Sequence, residues 1–317
     1  MSEQKLVSVV IPAYNAGRYI AKTIESVLAQ SYSRYEVLVA DDGSTDNTAE
    51  VAGRYGPPVR LLTQANKGPA AARNLALRHA TGDYIAFLDA DDLWHPEKLA
   101  TQVRFMEANP EIGICGTRRM DFQDGDTVSW PPLPNVIATH RIDGRTVIVK
   151  NRFSTSTVML RTSVLRQVGE FDESLFGPED WDLWRRMTRG RLGLHLRVPL
   201  TAYRNLHGSV SSNAQRMLEN NRKVLQKAFA DTPDLECSCK LRALSYLHFD
   251  AAQEFRDTSN ATAWKHFLIS LAIWPFPLGR TCIRPFRRFK TGLSLLREIS
   301  SGKSRSVESS EGKGDSR

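Results

Sequence analysis

Three carboxylates crowd into the four positions after a short apolar run: Asp89, Asp91 and Asp92 follow Tyr84-Ile85-Ala86-Phe87-Leu88. Anions gathered at a strand end repel one another unless something positive joins them. A hard dication such as Mg²⁺ or Mn²⁺, bound through one or two carboxylates and a substrate diphosphate, is one solution. The other is a loop whose acids cap the next helix, since His95-Pro96-Glu97 has the form of a helix start. A second acidic group, Asp41-Asp42-Gly43-Ser44, also ends an apolar run, and a third, Glu179-Asp180, follows a Gly-Pro turn. Acids in a first helical turn complement the helix dipole. Glu179, Asp180 and Asp182 fit that role, while a carboxylate facing a cleft from the same turn would serve as a base.

The elements that must position these groups alternate along the chain. Strand-like runs at Val7–Ile11, Tyr35–Ala40, Val59–Leu62 and Tyr84–Leu88 are separated by helix-like segments at Tyr19–Gln30, from Asp46 to Tyr55, and at Gly68–Ala80. Ile20, Ile24, Val27 and Leu28 give the first helix one apolar face. Strands alternating with helices mean βαβ units and a mostly parallel sheet, with helices on its faces. In such sheets ligands bind beyond the carboxyl ends of the strands. Those ends carry Pro12-Ala13-Tyr14-Asn15, Asp41-Asp42-Gly43-Ser44 and Asp89-Ala90-Asp91-Asp92, so the sheet should gather all three around one cleft.

Further on, Glu97–Met106 reads as a helix, Ile112–Cys115, Thr157–Leu160 and Leu194–Val198 as strands, and Thr162–Val168 as a short helix closed by Gly169. Residues 121–145, rich in Asp, Gly and Pro, read as a long irregular loop, either a lid or acceptor wall or a passive surface segment. After about residue 210 strand signals stop. Three amphipathic helices follow, around Met217–Phe229, Leu241–Ala251 and Trp264–Trp274.

The 41% hydrophobic content suits a soluble protein with a real core. Four cysteines make no convincing disulfide framework, and Cys237-Ser238-Cys239 is too lonely for zinc. The expected compartment is cytoplasmic. No segment approaches the roughly 20 apolar residues needed to span a bilayer. Net charge is +8, and residues 211–317 hold 18 basic and 11 acidic side chains, seven of those eight charges. A near-neutral front argues against a nucleic-acid-binding fold. The rear basic run, Arg280 to Lys290 with Phe286 and Phe289 interleaved, either rests on an anionic membrane surface or forms a solvated edge of a packed helical subdomain.

In order and spacing, Val7-Ser8-Val9-Val10-Ile11-Pro12-Ala13-Tyr14-Asn15, Asp41-Asp42-Gly43-Ser44-Thr45-Asp46, Gly68, Ala72-Arg73-Asn74, Asp89-Ala90-Asp91-Asp92 and Glu179-Asp180 resemble the family 2 inverting glycosyltransferases. The resemblance covers roughly residues 6–210. It implies the Rossmann-like GT-A fold, with a C-terminal helical extension here, and a Mg²⁺- or Mn²⁺-dependent transfer of sugar from a nucleoside-diphosphate donor. By position it places Pro12, Ala13, Tyr14, Asn15, Asp41, Asp42, Gly68, Arg73 and Asp89 around the nucleotide, with Tyr14 against the base. It places Asp91 or Asp92 on the metal, Asp91 being favoured, and Asp180 as general base with Glu179 beside it. Asn15 departs from the commonest pattern, which leaves its contact open. His207 reaches the metal or diphosphate, or is merely solvated. The Gln-x-x-Arg-Trp run of processive synthases is absent after Asp180, which implies one sugar per encounter.

The expected organisation is therefore a catalytic domain over 1–210, a helical region over 211–299 that touches membrane or packs on the sheet, and a disordered tail over 300–317. Expected partners are a nucleotide-sugar donor of UDP or dTDP type and a glycan or lipid-linked acceptor, with peripheral contact on the inner face of the plasma membrane and no nucleic acid. Two competing activities remain: a nucleotidyltransferase, which normally carries a Gly-rich basic phosphate loop after strand one, and a catalytically dead binding module, which would normally have lost these acids.

Overall fold

The computed structural model describes residues 4–206 and 213–276, together with 288, 291, 292 and 294. The chain forms two compact units, Met1–Cys239 and Lys240–Arg317.

The first unit is an α/β fold around one nine-stranded sheet, in the order β3-β2-β1-β4-β8-β6-β9-β5, with β7 also on β9. The strands are β1 (Val7–Ala13), β2 (Tyr35–Asp41), β3 (Val59–Thr63), β4 (Tyr84–Phe87), β5 (Leu93–Trp94), β6 (Ile112–Gln123), β7 (Thr139–Asp143), β8 (Met159–Arg161) and β9 (Leu192–Asn205). Strands β1, β2, β3 and β4 pair in parallel. Because β4 and β6 are each antiparallel to β8 between them, and β6 is parallel to β9, six of the nine strands point the same way. Their carboxyl ends therefore share one edge. The parallel strands are apolar on both faces: Val7, Val9, Val10, Ile11, Val37, Leu38, Val39, Ile85 and Phe87 are all fully buried.

Helices α1 (Ile20–Leu28), α2 (Thr48–Gly53), α3 (Pro69–His79), α4 (Lys98–Glu107), α5 (Gly144–Val149), α6 (Thr162–Val168), α7 (Glu179–Met187) and α8 (Ala214–Asp231) flank the sheet. In α1, Ile20, Ile24 and Val27 are buried as their spacing requires, while Leu28 stays exposed at the helix end. Pro69 stands in the first turn of α3, where its missing N–H costs no hydrogen bond.

Two expectations need correction. The loop read over 121–145 is shorter. Asp121–Gln123 continue β6, Thr139–Asp143 form β7, and Gly144 opens α5. Strands β6 and β9 also run much further than their apolar cores. Register shifts at Thr117/Arg118 and Arg118/Arg119 let β6 carry outward charges while staying paired with β9 as far as Asn205. Helix α8 lies in the first compact unit, which runs to Cys239. Leu218, Val224, Leu225 and Ala228 form the buried apolar side of α8, and two polar contacts add to it: Asn220 Nδ2 donates to the Phe176 carbonyl at 3.0 Å, and Lys227 Nζ bonds Asp172 at 2.6 Å.

The second unit begins within α9 (Cys237–Glu254) and includes α10 (Asn260–Ile273). Ser245 and Ser270 exchange hydroxyl-to-carbonyl hydrogen bonds at 2.8 Å, and the His248 and His266 rings stack 5.0 Å apart. Ala263, His266, Phe267 and Ser270 form the buried side of α10, leaving Leu268 exposed, with Phe276 exposed just beyond the helix. No helix among the described residues is long and apolar enough to cross a membrane. Most of the basic run at 280–290 and all of 300–317 lie outside the described residues.

Candidate active site

The three strand ends meet as expected, and most of their polar groups are spent on holding one another. Asp41 accepts from the Ser44 hydroxyl at 2.5 Å, closing a turn in which Gly43 adopts φ +71°. A Cβ at Gly43 would sit 2.9 Å from the Asn66 backbone nitrogen, so this turn needs glycine. Asp42 is buried and accepts from Gln64 Nε2 (2.7 Å), Lys67 N (2.9 Å) and Gly68 N (2.8 Å). A carboxylate offers about four acceptor sites, so room for one ligand bond remains. Asn15, at φ 49°, takes the Thr45 N–H on its side-chain oxygen at 2.8 Å and gives its own N–H to Ser44. Its side chain thus fastens the β1 loop to the β2 loop. Beside it Tyr14 presents a half-exposed ring, and Pro12 and Ala13 are buried in β1.

Arg73 of α3 is the link between two acidic groups. Nη2 donates to Asp89 Oδ1 and Nη1 to Glu179 Oε1, each at 2.8 Å, over the face of Phe171. Burial works against the guanidinium charge, but Asp89 and Glu179 outweigh it and raise the Arg73 pKa. Glu179 is itself buried and uses its second oxygen on the Gly177 N–H at 2.8 Å. With both oxygens engaged it acts as a brace.

The three aspartates after β4 have separate environments. Asp92 is fully buried, and its two oxygens accept from Ser156 Oγ (2.5 Å) and the Arg204 backbone N–H (2.9 Å). Among the described residues no other side chain hydrogen-bonds to the Asp91 carboxyl. Burial, then the Asp89 charge, push its carboxyl up to about 6. Asp89 keeps 31% of its side chain exposed while holding Arg73. Among the described residues no group of three His, Cys, Asp or Glu side chains is arranged to hold a metal by itself. The donor set nonetheless fits Mg²⁺ or Mn²⁺, which bind through one or two carboxylates and take their remaining ligands from water and substrate phosphates. Asp91 and Asp89 supply crowded, hard oxygen donors, whereas Asp92 has both oxygens committed within the protein. His207 lies outside the described residues.

Asp180 opens α7 one residue beyond Glu179. Asn151 Nδ2 stands 3.2 Å from both of its oxygens, Thr155 Oγ1 is 3.2 Å from Oδ2, and the Trp181 N–H is 2.5 Å from Oδ1. Burial and the neighbouring Glu179 push its carboxyl up to about 7, while Arg73 and the Trp181 and Asn151 hydrogen bonds pull the other way. A carboxyl that titrates near neutrality is well suited to proton transfer.

Reading the sequence by motif missed several of these partners. Asn151, Thr155 and Ser156 sit between two short elements without a periodic pattern. Only the Ser-Thr-Ser-Thr run at 154–157 hinted at donors there. Arg204 lies in what read as a polar tail of β9. Its guanidinium donates to the Asp91 carbonyl at 2.9 Å and to Asp124 at 3.0 Å. A cavity of about 730 Å³ lies at the opposite, amino-terminal ends of β6 and β9, lined by Glu111, Arg145, Arg185, Arg191 and Asp234, and is separate from this cluster.

Comparison with known proteins agrees with the fold and the motif order. The pattern of "Glycosyl transferase family 2" matches residues 8–169. A protein of Escherichia coli named UDP-Glc:alpha-D-GlcNAc-diphosphoundecaprenol beta-1,3-glucosyltransferase WfaP is 32% identical over 227 residues, covering 70% of this chain and 86% of that protein. An uncharacterized glycosyltransferase of Rickettsia felis is 47% identical over 188 residues, 56% of this chain but only 29% of that protein. A second Rickettsia relative is likewise spanned only in part, at 43% of its length. Among solved structures, the mannosyltransferase PcManGT of Pyrobaculum calidifontis, in complex with GDP-Man and Mn²⁺, superposes with TM-score 0.61 at 20% identity, covering 97% of this chain and 89% of that one. S. aureus TarS superposes with TM-score 0.60 at 18% identity, covering 93% of this chain and 55% of that one. The likeness to both shows a shared GT-A fold. The chain belongs to glycosyl transferase family 2.

Proposed function

We propose that this protein moves one sugar from a nucleoside-diphosphate donor, of UDP or dTDP type, to an acceptor hydroxyl with inversion, in the assembly of a cell-surface glycan. The carrying observation is the Arg73 bridge. It joins Asp89, at the end of β4, to Glu179, the residue before Asp180, and so fixes the donor-side acid relative to the base.

In this reading Tyr14 stacks on the base, Asp42 takes its ring N–H, and Asp89 and Asp91 hold the dication. A dication held there would neutralise the charge on the departing diphosphate. Asp180, ionised, accepts the proton of the acceptor hydroxyl as the bond from acceptor oxygen to anomeric carbon forms and the bond to the diphosphate breaks. The diphosphate leaves with the electron pair, and no covalent enzyme intermediate is required. Asn151 and Thr155 orient Asp180 and favour its ionised form.

The relative WfaP bears a name that specifies a lipid-diphosphate-linked acceptor and a UDP-glucose donor. A lipid-linked acceptor of that class supports work at the inner face of the plasma membrane. Exposed Leu268 and Phe276 are suited to peripheral contact there.

The test is a thermal-shift screen of UDP-, dTDP- and GDP-sugars with Mn²⁺, followed by assay of the released nucleotide. A stabilising nucleotide sugar that yields a nucleoside diphosphate supports the reading. Release of pyrophosphate would instead identify a nucleotidyltransferase.

A further inference from the structure

One face of the β6–β9–β7 ribbon carries cations without matching acids. His195 and Arg197 alternate with Leu194, Leu196 and Val198 along β9, so both lie on the opposite face of the sheet from those three residues. His140 of β7 lies directly opposite His195 and shares its face. Gly116 of β6 is the partner of His195 on the other side, and Arg118 follows two residues later. His140, Arg118 and Arg197 are exposed. Among the described residues neither Arg118 nor Arg197 forms an ion pair, whereas the adjacent Arg119 is occupied by Asp121 at 3.1 Å. Burial, and then the charges of Arg118, His140, Arg197 and Arg152, hold the His195 imidazole down at about 4.

The patch adjoins the base through a single loop. The Phe153 ring lies on this face, 6.4 Å from the His195 ring. It occupies space that any side chain would fill: a Cβ on Gly116 would fall 2.6 Å from Phe153 Cδ1, and one on Gly193 2.9 Å from Cζ. Asn151 and Thr155, the two residues that hold Asp180, flank Arg152 and Phe153 in this loop. Phe153 thus joins this face to the loop whose Asn151 and Thr155 orient the Asp180 carboxylate.

We propose that the face formed by Arg118, His140, His195 and Arg197 seats a phosphate or diphosphate group of the acceptor, so that the hydroxyl to be glycosylated is delivered to Asp180 by its anionic neighbour. The inference rests on the sugar-transfer reading above and adds the place on this chain where the acceptor's anionic group is held. Guanidinium groups match phosphate oxygens in geometry and stay charged throughout the working pH range. An unneutralised patch also draws anions toward it, an attraction that salt screens. The same chemistry is offered by a lipid diphosphate and by a phosphodiester polymer.

The experiment titrates the full chain by calorimetry, in EDTA and at low salt, with octyl diphosphate, a soluble glycerol-phosphate oligomer and uncharged octyl glucoside. Wild type is compared with Arg118→Ala/Arg197→Ala and with Arg118→Lys/Arg197→Lys. One anionic probe should bind wild type, lose at least tenfold affinity in the alanine pair, and recover most of it in the lysine pair. The probe that binds tells lipid diphosphate from polymer. Neither anionic probe binding more tightly than octyl glucoside, or an alanine pair that binds like wild type, overturns the proposal. UDP with Mn²⁺, titrated into the same wild-type protein after exchange into EDTA-free buffer, reports on the donor cluster separately. Binding of UDP without either anionic probe refutes the acceptor patch alone, and binding of an anionic probe without UDP refutes the donor reading alone.

Discussion

Arg73 Nη1 donates to Glu179 Oε1 at 2.8 Å across 106 residues of chain, and both side chains are nearly sealed from water. Removing one partner of such a pair strands a buried charge, at a cost of about 3–5 kcal/mol. Arg73→Met should lower the unfolding free energy by about that amount, and Glu179→Gln by less, because Arg73 keeps its pair with Asp89. The double variant should lose less than the sum, and a denaturant double-mutant cycle measures the coupling. Strict additivity would show that the two do not depend on each other.

Asp180 governs the expected pH dependence. A base must be ionised, so kcat should fall about tenfold per unit below pH ~7, where the raised Asp180 carboxyl takes up its proton. Asn151 and Thr155 stabilise the ionised form. Asn151→Ala or Thr155→Val should move that acid limb upward by somewhat under one pH unit, for a lost hydrogen bond worth about 1 kcal/mol. Asp180→Asn should abolish transfer while UDP still binds. Linkage adds a second signature. The folded carboxyl binds a proton that the unfolded chain has released above its ordinary value of 3.8, so stability should decline as pH rises from there through about 7. That contribution should vanish in Asp180→Asn.

Asp91 and Asp92 should separate by phenotype. Asp91→Asn should weaken UDP binding in Mn²⁺ at least tenfold and leave binding in EDTA little changed. Asp92→Asn disturbs bonds to Ser156 and Arg204 inside the protein, and should show chiefly as lowered thermal stability. Titrating UDP with and without metal, alongside melting curves, reads both effects. The reverse pattern would move the metal to Asp92.

Lys98 offers a test away from the cluster. It is fully buried over the Trp94 ring, 4.1 Å from its centroid, and bonds Gln102 Oε1 at 2.5 Å. Burial pushes its ammonium down to about 7. The unfolded chain keeps that proton up to its ordinary 10.5, so stability should rise as pH climbs from about 7 toward 10. Lys98→Met should remove that rise, as measured by denaturant unfolding at pH 7 and 9.

The parallel half of the sheet was legible because its information is local. Val7–Ile11, Tyr35–Ala40 and Tyr84–Leu88 are apolar on both faces, end in turn residues, and form β1, β2 and β4 with shifts of one or two residues. The acids at their ends could be found for the same reason. In the other half the apolar cores of β6, β8 and β9 were legible, but β5, β7 and the long polar extensions of β6 and β9 were not. Strands β5 and β7 are two and five residues long, and β7 reads Thr-His-Arg-Ile-Asp, with only Ile142 facing the core. Its pairing with β9 fixes it, and pairing across about fifty residues leaves no periodic trace. Which carboxylates are free was equally hidden. Asp91 and Asp92 are neighbours of one type, and only Ser156 and Arg204, brought from distant segments, distinguish them.

Helix α8 decides where this catalytic unit can be cut. Asp182 in α7 is fully buried and is neutralised by Arg185, Arg186 and Lys227, the last contributed by α8 at 3.2 Å. Asp231, also of α8, binds the opposite end of Arg185 at 2.6 Å. A fragment ending at residue 210 keeps every acid of the motifs but discards two members of this charge relay, directly behind the turn that carries Asp180. An expression boundary drawn by motif would thus loosen the foundation of the base, whereas one drawn beyond Cys239 retains it.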